Sequence, residues 1–88
     1  MPRSQTRNMY AVSFGLIMRR LRLERGLTIL RISQLTGMNP KYLGTVESGG
    51  NVPSVDTLIR ISNALGVPPP EVLREMIESH AAVAGRKT

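Results

Sequence analysis

Apolar residues recur along this chain at intervals of three and four positions, the spacing of one face of an α-helix. The first such stripe runs from about Val12 to Arg25 and contains Phe14, Leu16, Ile17, Met18, Leu21 and Leu23. No stretch alternates apolar and polar residues as a half-buried strand would. The pattern predicts five helices and no strand, and therefore an all-α fold.

Residues that favour helix ends divide the middle of the chain into short helices. Gly26 ends the first helix, and Thr28 is a candidate N-cap for a second helix that reaches about Thr36. Gly37 follows, where a left-handed backbone costs glycine little. Asn39 can then cap a third helix, so a sharp break is expected between the second and third helices.

The third helix begins with Pro40, where the missing N–H does no harm. Leu43 and Val46 lie three positions apart and would anchor this helix to the core. Lys41 and Thr45 lie four positions apart and would share an exposed side. The sequence therefore predicts a helix, a turn and a second helix with polar residues near its start.

A loop rich in glycine, serine and proline at 48–54 separates this pair from the later helices. Ser54 caps a fourth helix, which Gly66 ends, and its predicted apolar stripe is Val55, Leu58, Ile61 and Leu65. A fifth helix is predicted from about Pro70 to Ser79. A chain of 88 residues forms one domain. We predict a flexible basic arm at 1–10, a helical domain at 11–79 and a flexible tail at 80–88.

The net charge of +6 is concentrated in one third of the chain. Residues 1–31 carry seven arginines against one glutamate, whereas the charges of the remaining residues balance. This distribution favours a polyanionic partner, nucleic acid ahead of an anionic membrane, and the alternative is a solvated basic helix. No cysteine is present, and no segment resembles a signal peptide or a membrane span. We therefore expect a cytoplasmic protein without a cofactor.

A helix, a turn containing glycine and a second helix with polar residues at its start are typical of a helix-turn-helix arrangement. The second helix of such a pair can enter the major groove of DNA, which is about 12 Å wide and admits one helix. The N-terminus of that helix also offers free N–H groups to phosphates. The pattern thus predicts sequence-specific binding of double-stranded DNA.

Several motifs occur in a fixed order: R-x-x-R-G-L-T, the turn glycine, Y-L-x-x-V-E-x-G, P-S and L-x-x-I-S-x-A-L-G-V. In this order, from about Phe14 to Leu73, they resemble the Cro and phage-repressor family of helix-turn-helix regulators. The short basic form is similar to restriction-modification controller proteins. The resemblance implies a five-helix lambda-repressor-like domain and regulation of its own transcription unit. Because one recognition helix reads only a few base pairs, we also expect a homodimer that reads the two half-sites of an inverted-repeat operator.

The resemblance also implies roles for individual residues. Arg22 would form an ion pair with Glu47 at the end of the third helix, the alternative being that Glu47 is a plain surface charge. The positions that would contact bases are Pro40, Lys41 and Thr45. The positions that would contact the DNA backbone are Arg22, Thr28, Asn39, Tyr42, Ser48 and Asn51.

Two positions depart from the family pattern. Ile29 replaces a usual glutamine and cannot donate the hydrogen bond of that side chain. Pro40 has no polar side chain, although it could touch a thymine methyl group. Base reading would then depend mainly on Lys41, which can donate to guanine, and on Thr45. The alternative for Lys41 is an ordinary solvated lysine.

Two groups of apolar residues exceed what short helices need. Ile29, Leu30 and Leu35 either add packing or contact a partner protein or second subunit. The second group either closes the core of the monomer or forms a dimer interface, and we predict the interface. It consists of Leu65, Val67, Val72, Leu73, Met76 and Ile77.

Other function classes fit the sequence less well. The main alternative is an antitoxin that binds a partner protein through the apolar residues of the second helix and the tail, and represses its own operon. An enzyme is disfavoured because the only histidine is His80, near the end, and no phosphate-binding glycine loop or carboxylate cluster is present. RNA binding is disfavoured because few aromatic residues could stack on bases.

Overall fold

The computed structural model describes the backbone of residues 8–86 and the side chains of residues 8–79. Within this range the chain forms five α-helices and no strand, which confirms the predicted all-α fold. The helices are α1 (Met9–Glu24), α2 (Ile29–Thr36), α3 (Pro40–Glu47), α4 (Val55–Ala64) and α5 (Pro69–Arg86).

Side-chain caps begin the first four helices. The side-chain oxygens of Thr28, Asn39 and Ser54 each accept from a backbone N–H of the first turn, as predicted. Asn8 does the same for α1, where its Oδ1 accepts from the N–H groups of residues 10 and 11 at 2.9 and 3.0 Å. This cap starts α1 at Met9 rather than Val12, so residues 9–10 belong to the helix. Residues 1–7 of the predicted arm lie outside the described residues.

The last helix is longer than the pattern predicts. It begins at Pro69 instead of Pro70 and continues to Arg86 instead of ending at Ser79. Three of residues 81–84 are alanine, which has the highest helix propensity, and no glycine or proline interrupts them. The backbone of the predicted tail is therefore helical through residue 86, and residues 87–88 lie outside the described part.

The core lies where α1 packs on α3 and α5, α2 packs on α3 and α4, and α4 packs on α5. Its buried apolar side chains come from all five helices and the α4 C-cap, so each helix buries one face against its neighbours. The cluster comprises Phe14, Ile17, Met18, Leu21, Ile32, Leu43, Val46, Ile61, Leu65, Val72 and Met76.

Some apolar positions of the predicted stripes face solvent. Leu16 and Leu23 on α1 are exposed, and Val55, the first residue of α4, is 75% exposed. Ile61 and Leu65 are buried as expected. The buried residues of α4 begin at Thr57, two positions after Val55, so assigning Val55 to the buried stripe was wrong.

The predicted dimer-interface set is divided by the fold. Leu65, Val72 and Met76 are at most 5% exposed and fill the protein's own core, so their assignment to a dimer interface was wrong. Leu73 and Ile77 are 46% and 51% exposed. Val67 is half-buried. A side chain fully packed within its own chain has no surface left for a second subunit.

An exposed apolar groove lies between α4 and α5. It encloses a cavity of about 250 Å³ and is lined only by apolar residues, namely Val55, Leu58, Ile59, Pro69, Pro70 and Leu73. We call this surface the α4–α5 groove. Its side chains offer water no hydrogen bond, which favours covering it with apolar groups.

Candidate nucleic-acid interface

The turn between α2 and α3 is held by local hydrogen bonds. Gly37 has a φ of 76°, in the left-handed region, and its N–H donates to the Ser33 carbonyl at 2.8 Å. The Thr36 hydroxyl donates to the Ile32 carbonyl at 2.8 Å and accepts from the Met38 N–H at 3.2 Å. These bonds pair the polar groups of the turn and set the direction in which α3 begins.

The first turn of α3 is exposed. The Asn39 Oδ1 accepts from the N–H groups of Lys41 and Tyr42 at 2.7 and 3.3 Å, and Pro40 occupies the first helical position. Lys41 and Pro40 face solvent, whereas Thr45 is half-buried and its hydroxyl donates to the Lys41 carbonyl at 3.1 Å. The three residues expected to read bases therefore lie on one short helix, with Lys41 carrying its only positive charge.

The inner side of α3 is anchored in the core. Leu43 and Val46 are fully buried, as the sequence predicted, and α3 packs on both α1 and α2. Tyr42 is half-buried and packs against the same core. Since these contacts hold one side of α3, its opposite side keeps a defined orientation toward a ligand.

The ion pair that the resemblance implies is present. The Arg22 Nε and Nη2 atoms donate to the two carboxylate oxygens of Glu47 at 2.9 and 2.8 Å, and Arg22 Nη1 donates to the Leu27 carbonyl at 2.9 Å. The side chains are 12% and 7% exposed. Hydrogen bonding to Glu47 raises the pKa of Arg22 above its ordinary value, so this guanidinium remains charged. Arg22 thereby joins α1, the turn before α2 and the end of α3.

The remaining residues expected to contact the DNA backbone lie at the start of α2, at the end of α3 and in the loop that follows α3. Thr28 is exposed and caps α2, where its Oγ1 accepts from the Arg31 N–H at 3.0 Å. Ser48 is the exposed C-cap of α3, and Asn51 is exposed in the following loop. Ile29, the first residue of α2, lines a cavity together with Ser48, so the start of α2 lies beside the end of α3.

Arg20 on α1 and Arg25 at its C-cap carry less free charge than the sequence suggests. Arg20 and Arg25 both lie near Glu24, at 3.6 and 3.7 Å, and Arg20 also bonds Glu75 on α5. Hydrogen bonding to Arg20 lowers the pKa of Glu75 below its ordinary value, which keeps this carboxylate ionised. Ion pairs within and between helices therefore neutralise part of the positive charge of the N-terminal third of the chain.

Gly15, which the sequence reasoning overlooked, allows α1 and α3 to approach closely. A Cβ atom at this position would lie 2.3 Å from the Glu47 carbonyl oxygen. Only glycine fits this contact without displacement of the end of α3. The signal in the sequence was a glycine inside a strong helical pattern, which commonly has a packing reason.

The described residues offer little for other chemistry. Residues 8–79 contain no group of three His, Cys, Asp or Glu side chains that could hold a metal ion. None of the helices in the described range is both long enough and apolar enough to cross a membrane.

Comparison with known proteins agrees with this geometry. A family profile described as helix-turn-helix matches residues 18–72. The HTH-type transcriptional regulator y4dJ of Sinorhizobium fredii is 42% identical over 48 residues, which cover 54% of this chain and 62% of y4dJ. The chain spans less than two thirds of the length of the curated relatives it matches.

Two solved structures share the fold over most of the chain. The clp gene regulator ClgR from Corynebacterium glutamicum is 26% identical, with a TM-score of 0.79 over 93% of this chain and 87% of ClgR. The restriction-modification controller protein C.AhdI from Aeromonas hydrophila is 32% identical, with a TM-score of 0.67 over 70% of this chain and 94% of C.AhdI. The expected likeness to such controller proteins is confirmed.

The family match covers the turn, α3, the Arg22–Glu47 pair and the core that supports them. Members of this family are transcriptional regulators and not enzymes. The chain therefore belongs to the helix-turn-helix family of Cro/C1-type transcriptional regulators.

Proposed function

We propose that the protein is a cytoplasmic, sequence-specific regulator of transcription that binds an inverted-repeat operator as a homodimer and controls its own transcription unit. The observation that carries the proposal is the two-sided environment of α3. Leu43, Val46 and Glu47 hold its inner side, while Pro40 and Lys41 are exposed at its N-terminal end. Such a helix can place its first residues against base edges in the major groove.

Selection of bound sequences from random duplex DNA tests this function. We expect a two-fold-symmetric consensus whose half-sites lie about 34 Å apart, one helical turn. A pool that shows no enriched sequence after several rounds would contradict sequence-specific binding. Autoregulation is then tested by fusing a reporter to the enriched site as it occurs beside the protein's own gene.

Lys41→Ala is expected to relax specificity at one base-pair position. Lys41 is exposed and its ammonium can donate to guanine O6 or N7, so the selected site should lose about 1–3 kcal/mol of binding free energy. The measurement is fluorescence anisotropy on the selected site and on duplexes with each substitution. Arg60→Ala on α4 is the charge-matched control. Equal losses on selected and random duplexes would argue against a base-reading role for Lys41.

The α4–α5 groove is the proposed dimer surface. Leu73, from the predicted interface set, lines it together with Val55 and Ile59, and Ile77 lies exposed one turn after Leu73 on α5. A two-fold axis beside this groove would bring two copies of the same apolar patch together. Two linked α3 helices would then read two half-sites with combined affinity.

Leu73→Glu is expected to raise the dimer dissociation constant roughly tenfold or more, because a carboxylate would be buried in an apolar contact. Sedimentation velocity over a concentration series measures this constant. Leu23→Glu on α1 is the matched control, since Leu23 is also exposed but lies outside the groove. A groove unrelated to dimerisation would give the two variants the same association behaviour.

A second candidate function, an antitoxin, is favoured by two side chains of α2. Leu30 and Leu35 are exposed, whereas Ile29 is half-buried and packs against the core. Exposed apolar side chains on a short helix can contact a partner protein. Purification of the protein from its source cell tests this: a stoichiometric partner that Leu30→Ser weakens would favour the antitoxin.

A further inference from the structure

Arg19, Arg22 and Glu47 form a charged cluster beside α3. Arg22 bonds both carboxylate oxygens of Glu47, and Arg19 Nη1 approaches Glu47 Oε2 at 3.3 Å. Two guanidinium groups thus share one carboxylate, which leaves the cluster with a net charge of +1. One positive charge in the cluster lacks its own counter-ion.

The excess charge resides on Arg19. All three nitrogens of the Arg22 guanidinium group are engaged, two with Glu47 and one with the Leu27 carbonyl, and the side chain is 12% exposed. Arg19 makes one longer bond to a carboxylate oxygen that Arg22 already satisfies, and its side chain is 61% exposed. An exposed contact of this kind contributes little free energy, so Arg19 can leave Glu47 at small cost.

A surface cavity of about 410 Å³ opens next to Arg19. Its lining residues come from α1, the start of α2 and the last turn of α3, namely Leu16, Arg19, Arg22, Ile29, Gly44, Glu47 and Ser48. Gly44 directly precedes Thr45, one of the positions proposed to read bases, and the Ser48 hydroxyl donates to the Thr45 carbonyl at 2.8 Å, so the cavity adjoins this part of α3. A duplex that receives α3 in its major groove would bring backbone phosphates to this edge of the helix.

We propose that Arg19 is a phosphate-binding residue of the DNA interface, an inference that rests on the proposed function. In the free protein Arg19 contacts Glu47. On the duplex its guanidinium turns to a phosphodiester oxygen at the cavity, while Arg22 alone neutralises Glu47. The exchange leaves the cluster of two arginines, one glutamate and one phosphate with no net charge. Glu47, although acidic, is then no source of repulsion toward the DNA backbone.

The salt dependence of DNA binding tests this role separately from fold stability. Anisotropy titrations of a labelled random-sequence duplex at several KCl concentrations give the slope of log K against log [KCl]. Losing one phosphate contact should make this slope less steep by about 0.9 in Arg19→Ala. Arg19→Lys should retain the wild-type slope because the charge remains. The unfolding midpoint of Arg19→Ala should equal that of the wild type.

Arg74→Ala is the charge-matched control. Arg74 is exposed on α5 and lines a different cavity, which shares no residue with the cavity beside Arg19, so its removal should leave the slope unchanged. A wild-type slope in Arg19→Ala, or an equal change in Arg74→Ala, would overturn the role of Arg19 while leaving DNA binding intact. Absence of duplex binding by the wild-type protein would instead overturn the proposed function, and the inference with it.

Discussion

Glu47→Ala is expected to destabilise the protein by about 3–5 kcal/mol, because it leaves the Arg22 guanidinium nearly buried without its counter-ion. Glu47 accepts three hydrogen bonds from two arginines, and through Arg22 it connects α1 to the end of α3. A small domain commonly has only about 5–15 kcal/mol of total stability. Urea unfolding at neutral pH, followed by circular dichroism, measures the loss.

Glu24→Ala is the matched control for this prediction. Glu24 also lies near two arginines, Arg20 at 3.6 Å and Arg25 at 3.7 Å, but its side chain is 57% exposed. Solvent screens these contacts, so their removal should cost less than about 1 kcal/mol. Equal losses of unfolding free energy in the two variants would mean that burial of the Arg22–Glu47 pair does not increase its effect on stability.

Gly15→Ala is expected to destabilise the protein by about 3 kcal/mol, although alanine is the better helix former. The added Cβ would lie 2.3 Å from a backbone oxygen at the end of α3, and one of the two helices must move to relieve the clash. Overpacking of this kind outweighs a propensity gain of about 1 kcal/mol. Thermal and urea unfolding measure the change. Binding to the selected operator should also weaken, because α3 is displaced.

Gly44→Ala provides a control with the opposite expected sign. Gly44 is also inside a helix, and a Cβ atom there would have no atom within 4 Å. Alanine should therefore stabilise α3 by up to about 1 kcal/mol. If Gly15→Ala stabilised the protein as Gly44→Ala does, the close approach of α1 and α3 would not limit packing.

The candidate site was predictable to the extent that it depends on neighbouring residues. Thr28 and Asn39 cap α2 and α3 through their side-chain oxygens, and Gly37 adopts the left-handed conformation between them because it has no Cβ atom. Leu43 and Val46 are buried because their spacing assigns them to one face of one helix. The Arg22–Glu47 pair was implied by the resemblance alone, since no local rule connects residues so distant in sequence.

The parts of the site that escaped prediction depend on contacts between distant segments. Gly15 is important only because the end of α3 lies against it. The free positive charge on α1 is lower than predicted for the same reason. Glu47 on α3 and Glu75 on α5 form ion pairs with arginines of α1. Position along one helix does not reveal which acidic residue will lie opposite a given arginine.

Local signals in the chain were enough to predict the number of helices and most of their boundaries, including the turn that precedes α3, because caps, glycines and prolines act on the adjacent backbone. Packing between helices decided, for several apolar residues of α4 and α5, whether they are buried or exposed. Val72 and Met76 pack against other helices and are buried, whereas Val55 and Leu73 line an open groove. Burial depends on which helix lies opposite a side chain, and that is settled only when all five helices pack together.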